Sequence, residues 1–540
     1  MRGTVLRPLI VTAALAAVTA ACSADAQPSQ SAASKATASS VTIAISSDEG
    51  TLTPFTNQTG YPGNNLVKLI FDPLAIVEGE NVVPLLAKEI KTTDNKVFTL
   101  PLRSGVTWHD GKPFTAGDVA FSVEFYRKNM EGDSAIDVRP IQSVTTDGDT
   151  VTMTLKAADP EFPRRLLADM AMLPKHIWQS VTKVGTAGAD KAIGTGPYKL
   201  TKYDNARGYT LTANTSYAMG KPRVETLKVV VIPEESTQFA ALRTGEIQLS
   251  SRIVPPQQLA ALEKQPNMGV VKGTEFASTL LAFNNSRPPF DRPEVRRALA
   301  KAINVDDLVK TSLLGQGKAG NPGFIHPESP IKADQQSSLY DVEAAKRELD
   351  ALGASPGADG VRMLNGKPMS YELLVQSTST DRLRSAELIR DMFKAIGVAV
   401  KITSLDSDSL DAKVWPGYDV SKGRNYDMSM WGWSAPVMLS SGTIAQLFDS
   451  DPDDGSLNIV GYKDAETDTI LDELRSAPTM EGRTAAAKKL QARVVDQLPF
   501  VTLYYRNGAY AFRKDAYDGW TWQNGSAVLN KFSFVDYKLT

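Results

Sequence analysis

Short runs of alternating apolar and polar residues mark strands at several points along the chain. Val41-Thr42-Ile43-Ala44-Ile45 alternates around β-branched residues and reads as a strand. Phe98-Thr99-Leu100-Pro101-Leu102 and Val151-Thr152-Met153-Thr154-Leu155 alternate as antiparallel strands with one solvated face do. Thr226 to Ile232 is dominated by β-branched residues and predicts a buried strand. Helical patterns lie between them. Leu66 to Leu74 carries an apolar face, and Thr237 to Gly245 has helical spacing that stops at a glycine.

A second set of elements begins near Thr279. Leu280-Leu281-Ala282-Phe283 predicts a strand. Pro293 to Ile303 predicts a helix, with proline at its start and Arg296, Arg297 and Lys301 toward its end. Val342 to Leu352 is another helix, ending at Gly353. Met369 to Val375, Asp381 to Ile396 and Val398 to Ile402 read as strand, helix, strand. Asp427 to Trp431 and Phe500 to Tyr505 predict strands, and Glu481 to Leu498 a long helix. The chain is mixed α/β throughout, with no repeat of fixed period.

At 540 residues the chain exceeds one ordinary hydrophobic core, so two or three domains are expected. Its 59 basic and 61 acidic side chains nearly balance, which argues against a nucleic-acid partner, since a phosphate backbone calls for concentrated positive charge. The single cysteine, Cys22, excludes an intrachain disulfide and a cysteine-built zinc site. The three histidines, His109, His176 and His326, are too far apart for a local metal motif, and no Gly-x-Ser-x-Gly elbow is present. A secreted hydrolase therefore finds no support, and neither an enzyme nor a cofactor is expected.

The amino terminus has the layout of a secretory signal: Arg2 and Arg7, an apolar run from Leu9 to Ala21, then small residues. After that run no apolar stretch approaches the ~18 residues that span a bilayer. Cys22 follows Ala20-Ala21 directly. This resembles a bacterial lipobox, which implies a signal peptide over 1–21 and lipidation of Cys22. Thr19 departs from the Leu or Val usual in that motif. Residues 23 to 40 hold Ser, Ala, Thr, Gln and Pro without an aromatic or large aliphatic, so 22–40 reads as a flexible lipidated tether.

Several stretches resemble one family in its own order. Trp108-His109-Asp110-Gly111-Lys112-Pro113-Phe114-Thr115-Ala116-Gly117-Asp118-Val119 is similar to the W-x-D-G-x-P-[FL]-T-A-x-D-V signature of peptide-binding receptors of ABC importers. Gly194-Thr195-Gly196-Pro197-Tyr198 matches the G-T-G-P-Y turn, and Leu242 to Ile247 a helix end. Pro288 to Asp291 with Val295 to Ala298, Tyr426-Asp427 before Gly432-Trp433, Gly461-Tyr462, and Leu498 to Val501 follow. Asp110-Gly111 has turn chemistry, and Thr115 suits an N-cap with Asp118 in the first turn, so the first signature is expected to hold the fold rather than touch ligand.

The resemblance implies an α/β, two-lobed fold like the periplasmic binding proteins, of type II and the large peptide-receptor subclass, with a ligand cleft between lobes. Lobe I would comprise 41–275 plus 510–540, and lobe II 276–509. Closure about the two crossings would trap a peptide or peptide-like solute, which an ABC permease would accept at the membrane. The receptor would be a monomer outside the cytoplasmic membrane, held to it by the lipid on Cys22 alone. By family position, Ser46, Ser47, Asp48 and Glu49 would line the cleft from lobe I. Trp431, Trp433, Ser434 and Ala435 would face them, with Trp415 and Arg424 upstream as candidates. Alternation places Trp431 and Trp433 on one strand face. Trp520 and Trp522 are expected to pack between the lobes. Typical relatives carry G-W-x-x-D, whose aspartate holds a ligand ammonium. Pro436 stands at that position here. Another acid, such as Asp48 or Glu49, would then serve, or the ligand lacks a free amine. An oligosaccharide, an opine or a metal chelate would fit the same fold, as would a sensing or adhesive role.

Overall fold

The β-branched run at Val41, Ile43 and Ile45 forms β1 (Ala38–Ile45), a central strand of an eleven-stranded sheet. The computed structural model describes residues 37–56, 60–78, 81–129, 138–333 and 338–537. The expected signal segment, Cys22, and the tether as far as residue 36 lie outside the described residues. The strand begins before the alternation does. Ala38 and Ser40 pair with Val224 and Thr226, so the last residues expected in the tether belong to the sheet.

The remaining strands of this sheet are β2 (Tyr198–Asp204), β3 (Gly208–Ala213), β4 (Val224–Val231), β5 (Leu249–Ser250), β6 (Met268–Phe283), β7 (Gly317–Ala319), β8 (Ser370–Gln376), β9 (Ala399–Leu405), β10 (Met428–Trp433) and β11 (Phe500–Arg513). Their order is β9-β8-β10-β6-β11-β5-β1-β4-β3-β2, with β7 paired to β11. Strands β8, β9 and β10 run parallel on one flank, and β1, β4 and β5 on the other. The antiparallel pair β6–β11 joins the flanks. Strand β4 is less buried than its sequence suggests. Glu225 and Lys228 are exposed, because the β2–β3 hairpin leaves one face of that flank wet.

β6 and β11 are much longer than the alternation at Leu280–Phe283 and Phe500–Tyr505 suggests. β6 is buried from Ser278 onward but half-exposed from Gly269 to Glu275, and register shifts between Thr274 and Ser278 bend the pair. At the crossing Gly273 and Gly508 lie opposite each other, and an added Cβ on either would sit 2.1 Å or 2.3 Å from the indole of Trp522. Only glycine lets that ring lie across the two strands. Trp520, in contrast, packs against Tyr517 and Phe534 inside one core rather than between the flanks.

The apolar cores separate along this crossing. One draws on Val41 to Leu249 and Tyr510 to Val535, and a small one on Ala44, Phe239 to Met268, Ala509 and Ala511. Two others draw on residues between Phe276 and Tyr505, one on each face of the β6–β8–β10–β11 flank. Among the described residues no helix is long and apolar enough to cross a membrane.

The Trp108–Val119 segment is an internal brace. Trp108 N–H donates to Lys112 O at 2.8 Å, and the indole is buried against Phe114. His109 grips the Gly194–Tyr198 turn. Its backbone N–H donates to Gly194 O, its Nδ1 accepts from Gly194 N at 3.3 Å, and its Nε2 lies 3.0 Å from Gly196 O. Burial lowers its pKa to about 4, so the imidazole is neutral in this role. Helix α1 (Ala116–Lys128) starts from Thr115, whose N–H and hydroxyl both donate to Asp118 Oδ2 at 2.9 Å. Arg296 is similarly structural. Its guanidinium donates to Phe290 O and to Gln497 O and Leu498 O, the latter two left open at the end of the helix Met480–Gln497.

Candidate functional site

In open α/β sheets ligands sit beyond the carboxyl ends of parallel strands. Here those ends fall on both sides of the β6–β11 crossing. β1 ends at Ile45, just before Ser46–Glu49. β8 leads into helix α2 (Thr380–Lys394), β9 into helix α3 (Ser407–Val414) and Trp415, and β10 into Ser434 and a short helix, Ala435–Met438.

The second group is aromatic. Trp431 and Trp433 share one face of β10, with ring centroids 6.2 Å apart, and Trp415 stands 5.8 Å from Trp433 and 5.3 Å from Tyr418. Trp433 is buried, and Trp415 and Trp431 are half-buried. The indole Nε1 atoms of Trp415 and Trp431 are buried without a hydrogen-bond partner among the described residues. The indole Nε1 atoms of Trp108, Trp178 and Trp520 in the first core are likewise unpartnered, and what distinguishes Trp415 and Trp431 is that both belong to one aromatic cluster beyond the strand ends. Ser434 is exposed at the end of β10, and Ala435 and Leu439 lie against Gly525 of the C-terminal segment.

The Ser46–Glu49 loop turns toward its own flank. Asp48 accepts from Tyr209 Oη at 2.6 Å, Tyr203 Oη, Ala206 N and Gly50 N. Burial pushes its carboxyl up, but these donors outweigh burial and hold it below the ordinary value. Glu49 is fully buried, and its N–H donates to Tyr209 Oη at 2.7 Å. Ser46 is half-buried and Ser47 exposed. Arg424 donates to Ile459 O at 2.9 Å and to the Ser286 hydroxyl, which ties its guanidinium to neighbouring loops. Asp48 and Arg424 are thus engaged within their own flanks, whereas Trp415, Trp431 and Trp433 form one cluster.

A charged group at the crossing was not foreseen. Arg506 of β11 pairs with Asp381 at 3.4 Å, and Tyr510 donates to Glu275 of β6 at 3.3 Å. Arg382 follows Asp381 in the first turn of α2. Glu275, Arg382 and Arg506 are each half-buried. Burial raises the Glu275 carboxyl above its ordinary pKa against the pull of Arg506. In sequence each of these residues reads as an ordinary surface charge, and only the long crossing strands bring them inside.

The flanks also meet through an ion cluster. Arg483 lies 2.9 Å from Asp159 and 3.0 Å from Glu161, and all three side chains are nearly buried. Glu161 also accepts from the Ser441 hydroxyl at 2.7 Å and the Ser441 N–H at 3.3 Å. Phe162, next to Glu161, belongs to the first core, while Ile444 and Ala445, in the short helix Ser441–Ala445, belong to a core of the other flank.

A family model described as bacterial extracellular solute-binding proteins, family 5 Middle, matches residues 81–455. The oligopeptide-binding protein AppA of Bacillus subtilis is 27% identical over 445 residues, covering 80% of this chain and 79% of its own. The structure of NikZ from Campylobacter jejuni in complex with Ni(L-His) superposes with a TM-score of 0.77 at 25% identity, covering 92% of this chain and 99% of that one. The structure of the Bacillus subtilis AppA with a nonapeptide gives 0.74 at 23% identity, with the same coverage of 92% and 99%. The fold is thus the two-lobed α/β fold of these binding proteins.

Proposed function

Because the chain belongs to the bacterial extracellular solute-binding proteins of family 5, we propose that it captures peptides or peptide-like solutes and delivers them unaltered to an ABC permease. Lobe I is 41–275 with 510–540, lobe II is 276–509, and the strands β6 and β11 are the hinge. The observation that carries this reading is the pair of unpartnered indole donors, Trp415 and Trp431, beyond the carboxyl ends of the lobe II strands. Peptide carbonyl oxygens are acceptors of the required kind. Aromatic walls also bind the faces of varied side chains, as a receptor for mixed peptides requires.

The test is mass spectrometry of solutes that copurify with the protein, with calorimetry on the peptides recovered. Trp431→Phe removes an N–H and keeps an aromatic ring. It is expected to weaken peptide affinity by roughly 5- to 30-fold with an unchanged melting temperature. Equal affinity removes Trp431 from the site. Recovery of sugars alone overturns the peptide reading.

A metal chelate is the second reading. It is favoured by the likeness to a protein solved with Ni(L-His) and by Pro436 in place of an ammonium-binding aspartate. Nickel with histidine, titrated against the purified protein, separates the two.

The cleavable signal and the lipid on Cys22 complete the proposal, with the protein a monomer on the outer face of the cytoplasmic membrane. Cys22→Ala is expected to release the protein into the medium. Retention of fully cleaved Cys22→Ala protein in the membrane fraction would rule out the anchor.

A further inference from the structure

The segment from Ser434 to Ala445 follows directly on the aromatic cluster. It forms two short helices, Ala435–Met438 and Ser441–Ala445, with Pro436 in the first turn of the first, where a fixed φ suits a helix. Its inner side is seated in the same apolar core as Trp433. Met438, Ile444 and Ala445 belong to that core, and Ala435, Val437 and Leu439 pack against it together with Trp415 and Trp431. The segment and the aromatic cluster therefore share one floor.

Its outer side meets two parts of lobe I that lie far apart in sequence. A Cβ on Gly525 would sit 2.8 Å from Leu439 Cδ1 and 3.6 Å from Ala435 Cβ, so the backbone of the 523–527 turn rests on the first helix. That turn is fixed to lobe I. Gln523 Nε2 donates to Val77 O at 2.7 Å, Asn65 Nδ2 to Ser526 O at 2.9 Å, and Trp522 Nε1 to Asn524 Oδ1 at 3.0 Å. At the other end Glu161 accepts from the Ser441 hydroxyl at 2.7 Å, the Ser441 N–H at 3.3 Å and the Ser440 hydroxyl at 3.4 Å. Ser440 and Ser441 are buried in this contact. Arg483 holds Glu161 from the long helix Met480–Gln497, whereas the two serines hold it from a segment that begins where β10 ends.

One short segment thus has its inner side on the core that carries the aromatic wall and its outer side on the opposite lobe. Whatever fixes its position from one side favours its contacts on the other. We propose that Ser434–Ala445 is the closing strap of the receptor. Solute held against Trp431 and Trp433 fixes the strap, and the strap then carries Leu439 to Gly525 and Ser440 and Ser441 to Glu161. This rests on the peptide-receptor reading and names the element through which a bound solute draws the lobes together.

The probe is an equimolar pool of randomised pentapeptides, added to the unsubstituted protein and to a double variant, Leu439→Ala with Ser441→Ala. Tryptophan fluorescence follows binding, and the radius of gyration from small-angle scattering follows closure. Amide hydrogen exchange over 434–445 and 159–161 follows the strap. In the unsubstituted protein the pool is expected to change the fluorescence, compact the molecule and slow exchange in both segments with one common midpoint. In the double variant the midpoint should rise about 10- to 30-fold. At saturation its fluorescence should still change, with less than half of the compaction of the parent. Ser441→Ala alone, which keeps the backbone donor, should raise the midpoint about 3- to 10-fold. A double variant that compacts at saturation as fully as the parent overturns the proposal and leaves the receptor reading standing. So does one whose fluorescence no longer responds, since its two residues then belong to the solute site and not to the coupling. Compaction of the unsubstituted protein without slower exchange over 434–445 overturns it as well, and this comparison decides the question even where the double variant fails to fold. An unsubstituted protein that responds in none of the three measurements overturns the receptor reading itself, and the proposal with it.

Discussion

Lys531→Met is expected to lower the melting temperature by roughly 3 to 8 °C, because it strands a carboxylate in the interior. Lys531 ion-pairs with Asp72, and their side chains are 5% and 1% exposed. Its Nζ also donates to Phe71 O at 3.2 Å, and Asp72 accepts from the hydroxyls of Tyr217 and Thr195 at 3.0 Å each. Burial disfavours the ammonium while Asp72 restores it, and the net effect on the Lys531 pKa is downward. The pair is therefore held by mutual need. Removing one member costs about 3–5 kcal/mol, whereas replacing both with apolar residues costs far less.

The double variant Asp72→Leu with Lys531→Met should thus recover most of the loss. Thermal unfolding of the two single variants and the double variant forms a cycle that measures this coupling. A Lys531→Met protein that melts within ~2 °C of the parent would show that water or a neighbour already satisfies Asp72. The consequence reaches beyond stability. Lys531 lies in the C-terminal segment, which enters the first core after β11 crosses back. The pair is one of the ties that return the chain to the flank where it began.

How far the fold could be read from sequence depended on where each residue's partners lie. The unit Ser370–Gln376, Thr380–Lys394, Ala399–Leu405 was legible because alternation and helical spacing reflect local burial on one flank. The crossing halves of β6 and β11 were not. Met268 to Ala277 contains Gly269, Lys272 and Gly273, and its middle is half-exposed, so no period of two survives there. The shared face of Trp431 and Trp433 followed from strand alternation alone. Glu275, Arg382 and Arg506 carried no such signal, since a half-buried charge at a strand crossing and a charge on a surface look identical in one dimension. Asp48, expected at the cleft from its position after β1, accepts hydrogen bonds from Tyr203, Ala206 and Tyr209 of the 203–209 hairpin. That hairpin is remote in sequence, and its reach across to β1 is set by tertiary packing.

Arg483→Met should act mainly on closure rather than on folding. Arg483 holds Asp159 and Glu161 from the opposite flank, with Ser441 adding two further hydrogen bonds to Glu161. Arg165 donates to Asp159 at 2.8 Å within its own flank. Loss of the guanidinium leaves two carboxylates facing each other in a nearly dry interface, a cost of up to about 3–5 kcal/mol. Unlike Asp72, these acids have a way out. In the proposed hinge motion, opening would expose both to water, so the free energy would appear in the open–closed equilibrium and each proposed lobe would keep its own core intact. Apparent affinity falls with the fraction of binding-competent molecules. Peptide affinity is therefore expected to weaken by roughly 10- to 100-fold, while the melting temperature of the ligand-free protein changes by only a few degrees. Small-angle scattering should show a larger radius of gyration for the variant at a peptide concentration that compacts the parent. The mirror change, Glu161→Gln, keeps the hydrogen bonds from Ser441 and removes one charge, and should weaken affinity less. A variant that binds and compacts like the parent but melts far lower would assign Arg483 to the core and leave closure to other contacts.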